Sequence, residues 1–320
     1  MATLGFTLAG ITAAFIAALG CYPAARIVNA RLRACLFALV AMTVAAAPLW
    51  IPASARMTRL CVALTGCCLL FKVLDLYRDS QRGERPGFRE LILYLLNLFF
   101  LVRRRKGLEK QPSPSVNRRN LLRYFVTKLL AVATFVALMR MDWTGLPFLL
   151  EHALKALSVF VFGISSFGVY AALFRAGGCY VIDPVDRPFA ARSVAEFWRR
   201  YNRWIGMALR ENVFKPAGGK RHPVRGTFAA FAVSGLVHEY LFGISIGGLI
   251  GMQTLFFLLQ GCAVALTLRV RPTGRMAVAG MIATWSFMIV SSVLFFGTAQ
   301  SALPFYQGGL PHWLHDWWHY

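Results

Sequence analysis

One histidine and one glutamate interrupt the apolar run from Phe228 to Phe242, at His238 and Glu239. Placing ionisable groups in hydrocarbon costs a few kcal/mol or more, so such groups pair, line a cavity or act chemically. His238 is the best single catalytic candidate in the chain, because imidazole titrates near neutral pH. A hydrogen bond between helices is its unreactive alternative. Phe242 occupies the position where a second zinc-binding histidine would stand, so the pair is not the HExxH metal motif. Glu239, adjacent on the helix, is expected to point away from His238 and pair with an arginine.

A second stretch concentrates polar chemistry from Ser193 to Trp204. Ser193 followed three residues later by Glu196 is a capping-box start. Phe197, Trp198, Tyr201 and Trp204 then alternate with Arg199, Arg200 and Arg203 at helical spacing, which predicts an amphipathic helix at the membrane surface. Read alone, that pattern means membrane anchoring by Trp and Arg. Lys72 and Asp75, three apart on one helical face, are expected to form a structural ion pair.

Taken together, Ser193 to Trp204 (Ser-x-x-x-Phe-Trp-x-Arg-Tyr-Asn-x-Trp) and Ser234 to Glu239 (Ser-Gly-Leu-Val-His-Glu) resemble the membrane-bound O-acyltransferase family, most closely its wax synthase-like branch. Lys72 to Tyr77 is also similar to a stretch found early in wax synthase-like sequences, whereas Tyr201 stands where many relatives carry Trp. The resemblance implies that Asn202 and His238 are the catalytic pair. His238 would be the general base that activates an alcohol hydroxyl. Asn202 would hydrogen-bond the donor carbonyl or the oxyanion that develops from it. The implied substrates are an acyl-CoA thioester, as co-substrate rather than bound cofactor, and a lipophilic alcohol. Trp198, Arg199, Tyr201, Arg203, Lys215 and Ser234 are the expected substrate-binding residues, and Arg199, Arg200, Arg203, Lys215, Lys220 and Arg221 would meet the phosphates of the donor. The same arginines and lysines also fit the ordinary inside-positive pattern and anionic lipid.

These residues need elements to hold them, and a membrane-spanning helix takes about 20 mostly apolar residues. Eight runs qualify: Leu4 to Tyr22, Leu32 to Ile51, Arg59 to Tyr77, Leu121 to Arg140, Phe148 to Leu173, Gly226 to Ser245, Gly247 to Leu268 and Met276 to Phe296. Leu91 to Val102 is too short to span and is flanked by arginines, so a re-entrant or interfacial segment is expected. The expected fold class is all-α: a polytopic integral membrane helical bundle of about eight transmembrane helices, with that segment and a cytoplasmic amphipathic helix. A single domain covers 1–320, with its motif-bearing core at 180–242. Gly243, Gly247 and Gly251 would make a small-residue packing stripe on a continuing helix.

Composition agrees with this class. The 320 residues are 58% hydrophobic and 15% charged, against about 25% charged in soluble domains, and mean hydropathy is +0.56. Lys and Arg number 35 against 13 Asp and Glu, for a net charge of +22. The basic clusters alternate with apolar runs, which excludes a nucleic-acid module and follows the inside-positive rule, with both ends of the chain facing outward. Arg56 and Arg59 fall on the wrong side of that scheme. The first apolar run is expected to stay as a span, and a bacterial inner membrane is the expected location. The seven cysteines have neither zinc nor disulfide spacing and are read as small buried hydrophobes. Ser165 does not sit in a nucleophile elbow, because the second glycine comes one residue late, at Gly168. His312, His315 and His319 suggest a metal, but the neighbouring Trp313, Trp317 and Trp318 read as an interfacial belt; no metal is expected. The rival function is a proton-coupled transporter using His238 and Glu239, which lacks the internal duplication common in that class.

Overall fold

The computed structural model describes residues 2–107, 109–248, 251–300 and 305–308, and among these the regular structure is helical with no strand. Twelve α-helices follow in order: α1 (Ala2–Leu19), α2 (Cys21–Ala24), α3 (Ala30–Ala46), α4 (Arg56–Gln81), α5 (Phe88–Leu96), α6 (Pro114–Arg140), α7 (Phe148–Ala176), α8 (Val194–Arg200), α9 (Arg203–Leu209), α10 (Pro223–Ile246), α11 (Met252–Thr267) and α12 (Arg275–Ala299). Among the described residues, seven helical stretches are long and apolar enough to cross a membrane. They contain α1 with α2, then α3, α4, α6, α7, α10 and α12. The protein is a polytopic helical membrane protein.

The eighth expected span is the shorter α11, of 16 residues. Gly247 and Gly251 both adopt positive φ, at 86° and 82°; the first is the C-cap of α10 and the second the N-cap of α11. The small-residue stripe therefore does not lie on one continuing helix. Close approach is achieved instead by Gly235 and Gly261, one on each helix of the α10–α11 pair. A Cβ on Gly235 would lie 3.0 Å from Thr254 Cα, and one on Gly261 would lie 3.0 Å from Phe231 Cβ. Glu239 ties α10 to the start of α11: its carboxylate accepts from Gly251 N at 2.6 Å and Thr254 N at 3.1 Å. It thus caps α11, where pairing with an arginine was the sequence expectation.

The short run after α4 forms α5 and then an irregular stretch that folds back into the bundle, burying Tyr94, Phe100, Leu101 and Val102. Irregular backbone at membrane depth requires internal partners, and Lys72 provides them. Its fully buried ammonium donates to the carbonyls of Tyr94, Asn97 and Phe100, the last two at 2.8 and 2.9 Å. Asp75 accepts from Tyr94 Oη at 3.1 Å and Arg103 N at 2.9 Å, and meets Arg104 at 3.5 Å. Lys72 and Asp75 are therefore structural, but their hydrogen bonds go to this segment rather than to each other, because its backbone offers both of them a partner.

Arg56 and Arg59 lie at the end of the bundle opposite the basic clusters. Arg59 donates to Ile51 O, just before α4, at 2.9 Å and to Ile244 O, in the last turn of α10, at 3.4 Å, so this charge is held by backbone carbonyls. All seven cysteines are free; Cys21 and Cys67 are buried, whereas Cys35, Cys61 and Cys262 are exposed, which corrects the all-buried expectation. Their spans turn these faces away from the bundle.

Candidate active site

The segment expected to be one amphipathic helix is two short ones. Ser193 caps α8 by accepting from Glu196 N at 3.2 Å, and the Glu196 carboxylate reaches back to Arg192 N at 2.8 Å. The helix then breaks at Tyr201 and Asn202. Asn202 sits in the left-handed region, with φ 44°, and is the N-cap of α9, its Oδ1 accepting from Ile205 N at 3.5 Å. Asparagine tolerates this conformation better than most residues. Arg203 N, bonded to Pro184 O at 2.8 Å, fixes the turn. The Asn202 Nδ2 amide has no hydrogen-bond partner among the described residues.

His238 lies on α10, with its ring against Phe257 of α11 at 4.3 Å and Phe295 of α12 at 5.8 Å between centroids. Its Nδ1 is 2.8 Å from Ser234 O. A carbonyl only accepts, so Nδ1 carries the proton and, in the neutral ring, Nε2 carries the lone pair. Nε2 has no hydrogen-bond partner among the described residues. Ser234, expected to touch substrate, orients the histidine through its backbone.

No hydrogen bond joins Asn202 to His238; a continuous set of rings connects their elements. Tyr201 is 6.1 Å from Trp198, Trp198 is 5.9 Å from Phe257, and Phe257 adjoins His238. Trp198 also starts a polar relay across three elements. Its Nε1–H donates to Gln260 Oε1 at 3.0 Å, and Gln260 Nε2 donates to Ser291 Oγ on α12 at 2.8 Å. Gln260 is fully buried, and neither it nor Ser291 was singled out from the sequence. The signal available was Gln253 and Gln260, seven apart and so on one face of an apolar helix. Tyr201 is packed against Phe160 and Phe197, and burial pushes its hydroxyl up to about 12, so it stays a neutral phenol.

The basic residues divide into committed and free. Arg203 is held by Glu109 at 2.8 Å and Arg200 by Glu196 at 2.7 Å. Lys215 bonds to Glu211 at 2.6 Å, and Arg105 pairs with the same carboxylate. Glu211 belongs to a π-helical turn, Arg210–Phe214. Burial alone would raise its carboxyl, but the hydrogen bonds from Lys215 and Arg105 and their charges outweigh it and hold it below the usual range. Arg199 is exposed. Beside Lys215 lies an open cavity of about 530 Å³ lined by Lys215, Gly218, Gly219, Lys220, Arg221 and His222, where no acidic side chain contributes.

These elements, from the end of α4 through α12, are also the part of the chain that known sequences match. The profile of MBOAT, the membrane-bound O-acyltransferase family, covers residues 76–300. The chain belongs to the membrane-bound O-acyltransferase family. Among curated members with related sequences are two from Arabidopsis thaliana. Probable long-chain-alcohol O-fatty-acyltransferase 3 is 39% identical over 110 residues, covering 30% of this chain and 32% of the relative. Probable long-chain-alcohol O-fatty-acyltransferase 2 is 32% identical over 134 residues, covering 37% of this chain and 39% of the relative. The matched stretch thus spans about a third of the first relative's length and about two fifths of the second's. Both relatives are plant proteins, so they lend no support to a bacterial inner membrane.

No group of three or more His, Cys, Asp or Glu is arranged to hold a metal among the described residues. His312, His315 and His319 lie outside them.

Proposed function

We propose that this protein transfers a fatty acyl chain from acyl-CoA to the hydroxyl of a lipophilic long-chain alcohol, giving an ester and free CoA. The observation that carries this reading is His238, whose Nδ1 is fixed by Ser234 O at 2.8 Å and whose Nε2 is left open inside a membrane-spanning helix. In the reaction Nε2 accepts the alcohol proton as the oxygen attacks the thioester carbonyl. The tetrahedral oxyanion accepts from Asn202 Nδ2. It collapses by breaking the C–S bond, and the CoA thiolate takes the proton back from the imidazolium. Both substrates come together in one step, so no acyl-enzyme is needed.

Family membership and the activity named for both Arabidopsis relatives support the reaction class. The cavity beside Lys215 supports CoA as the donor, because Lys220 and Arg221 line it with no carboxylate partner among the described residues, an arrangement that suits phosphates. With that loop facing the donor, the basic end of the bundle is the cytoplasmic one. Arg199 remains available to the donor, while the pairing of Arg203 with Glu109 gives it a positioning role. A proton-coupled transporter is disfavoured, because Glu239 is engaged in capping α11.

The test is ester formation from radiolabelled palmitoyl-CoA and a panel of long-chain alcohols and sterols in proteoliposomes. Wild type is expected to form ester and folded His238→Ala is expected to form almost none. Equal activity in both would overturn the assignment of the base.

A further inference from the structure

A second cavity lies away from the candidate active site, in the cleft between α6 and α7 at their basic end. It is a groove of about 690 Å³ lined by Ser115, Arg118, Arg119, Leu121, Leu122 and Phe125 of α6 and by Val169 and Leu173 of α7, within the usual ~300–1,000 Å³ of ligand pockets. Its polar groups sit at one end and the rest is hydrocarbon.

Arg118 and Arg119 are exposed and have no hydrogen-bond or carboxylate partner among the described residues. Several arginines at the same end are committed instead. Arg103 is held by Asp79 and Glu90, Arg105 by Glu211, Arg175 by Asp183, and Arg203 by Glu109. The acids at this end are already engaged, so the two guanidiniums call for an anion from outside the chain. Just beyond them, α6 rests on α7 through Asn117, whose Nδ2 donates to Ala172 O at 2.9 Å, and through Tyr124, whose ring occupies the space a Cβ on Gly168 would need. Almost none of the apolar stretch of α6 is buried, so the groove opens sideways toward the bilayer.

We propose that the α6–α7 groove is a binding site for one anionic phospholipid, with its phosphate on Arg118 and Arg119 and an acyl chain along Leu121, Leu122, Phe125, Val169 and Leu173. Paired guanidiniums match phosphate oxygens in geometry and charge, and the trough supplies the contact that α6 lacks from protein. The segment leading into α6 carries Glu109, bonded to Arg203, and Gln111, whose Oε1 accepts from Val181 N at 3.2 Å. A lipid seated here therefore steadies the segment that holds the residue following Asn202.

The test is native mass spectrometry of the delipidated full-length protein titrated with phosphatidylglycerol, with circular dichroism confirming the fold of each variant. Wild type is expected to retain one lipid, and R118Q/R119Q to bind it about tenfold more weakly or worse. Leu173→Trp, which fills the trough without changing charge, is expected to weaken binding too. R269Q/R275Q, an exposed pair at the same end of the bundle, is expected to bind as wild type does. Equal retention by wild type and R118Q/R119Q, or equal loss in R269Q/R275Q, would overturn the site. Competition by soluble glycerol phosphate as strong as that by the lipid would show an anion site with no acyl component, and would overturn the lipid assignment.

Discussion

His238 has one committed nitrogen and one open one, and that asymmetry makes its role testable at the level of a single side chain. General bases typically contribute 10²–10⁴-fold, so His238→Ala should lower kcat for ester formation by about that factor while leaving the thermal unfolding profile near wild type. Asn202 is subtler because it carries two functions on one amide: Oδ1 caps α9 and Nδ2 is free. Asn202→Asp keeps an oxygen for the cap and removes the donor. If the amide stabilises the oxyanion, Asn202→Asp should keep its stability and lose about 10²–10³-fold in kcat. Should the residue be only a cap, Asn202→Asp would be active, and Asn202→Ala alone would cost about 1 kcal/mol of stability. His238 was legible in the sequence because an ionisable group in an apolar run has few inexpensive explanations. The left-handed backbone of Asn202 was not: aromatics and arginines at helical spacing continue straight through it, and the break is set by Pro184, which lies outside the motif. Gln260 was hidden for a related reason, since its partners Trp198 and Ser291 come together only when three helices pack.

Lys72 shows the same dependence at the level of an element. A lysine three residues from an aspartate on one face reads as a local ion pair, yet its partners are three carbonyls more than 20 residues further along the chain, which no helical pattern foretells. Lys72→Met keeps the length of the stem and leaves those carbonyls unpaired, so a loss of about 3 kcal/mol is expected in unfolding of the detergent-solubilised protein, together with faster proteolysis at Arg103–Arg105. Unchanged stability would show that the segment does not depend on this cation. The π-helical turn offers a pH test. Glu211 has its carboxyl held below the unfolded value of about 4.3, so its pairing with Lys215 and Arg105 contributes stability in full above that pH. The contribution is lost as pH falls through the lower folded-state value. Thermal unfolding of wild type and Glu211→Gln should therefore differ at pH 6 and converge as pH falls below the lowered folded-state value. A difference that stayed constant with pH would mean the carboxylate charge is not what the turn uses. The spans themselves were legible because length and hydropathy decide them, and their caps at Asn29 and Ser113 followed ordinary rules.

Whether the described residues cross the membrane an even or odd number of times rests on α11. Its 16 residues rise about 24 Å at ~1.5 Å per residue, short of the ~30 Å hydrocarbon thickness. Hydrogen bonding nonetheless ties its far end to the basic face. Arg192 donates to Pro272 O at 3.3 Å, in the turn between α11 and α12, and Ala195 N donates to Thr267 Oγ1 at 3.1 Å, so the α11–α12 turn lies beside α8. The bundle accommodates the short helix because α8 folds inward from this face to meet it, which also brings Trp198 within reach of Gln260. In sealed vesicles, cysteines introduced at Lys220 and Thr273 in a cysteine-free background should be labelled by a membrane-impermeant maleimide from the same side, and one introduced at Asp142 from the other. Labelling of Thr273 and Lys220 from opposite sides would mean that α11 does not cross, that the chain makes seven crossings over the described residues, and that α8 cannot reach α11 from the basic end.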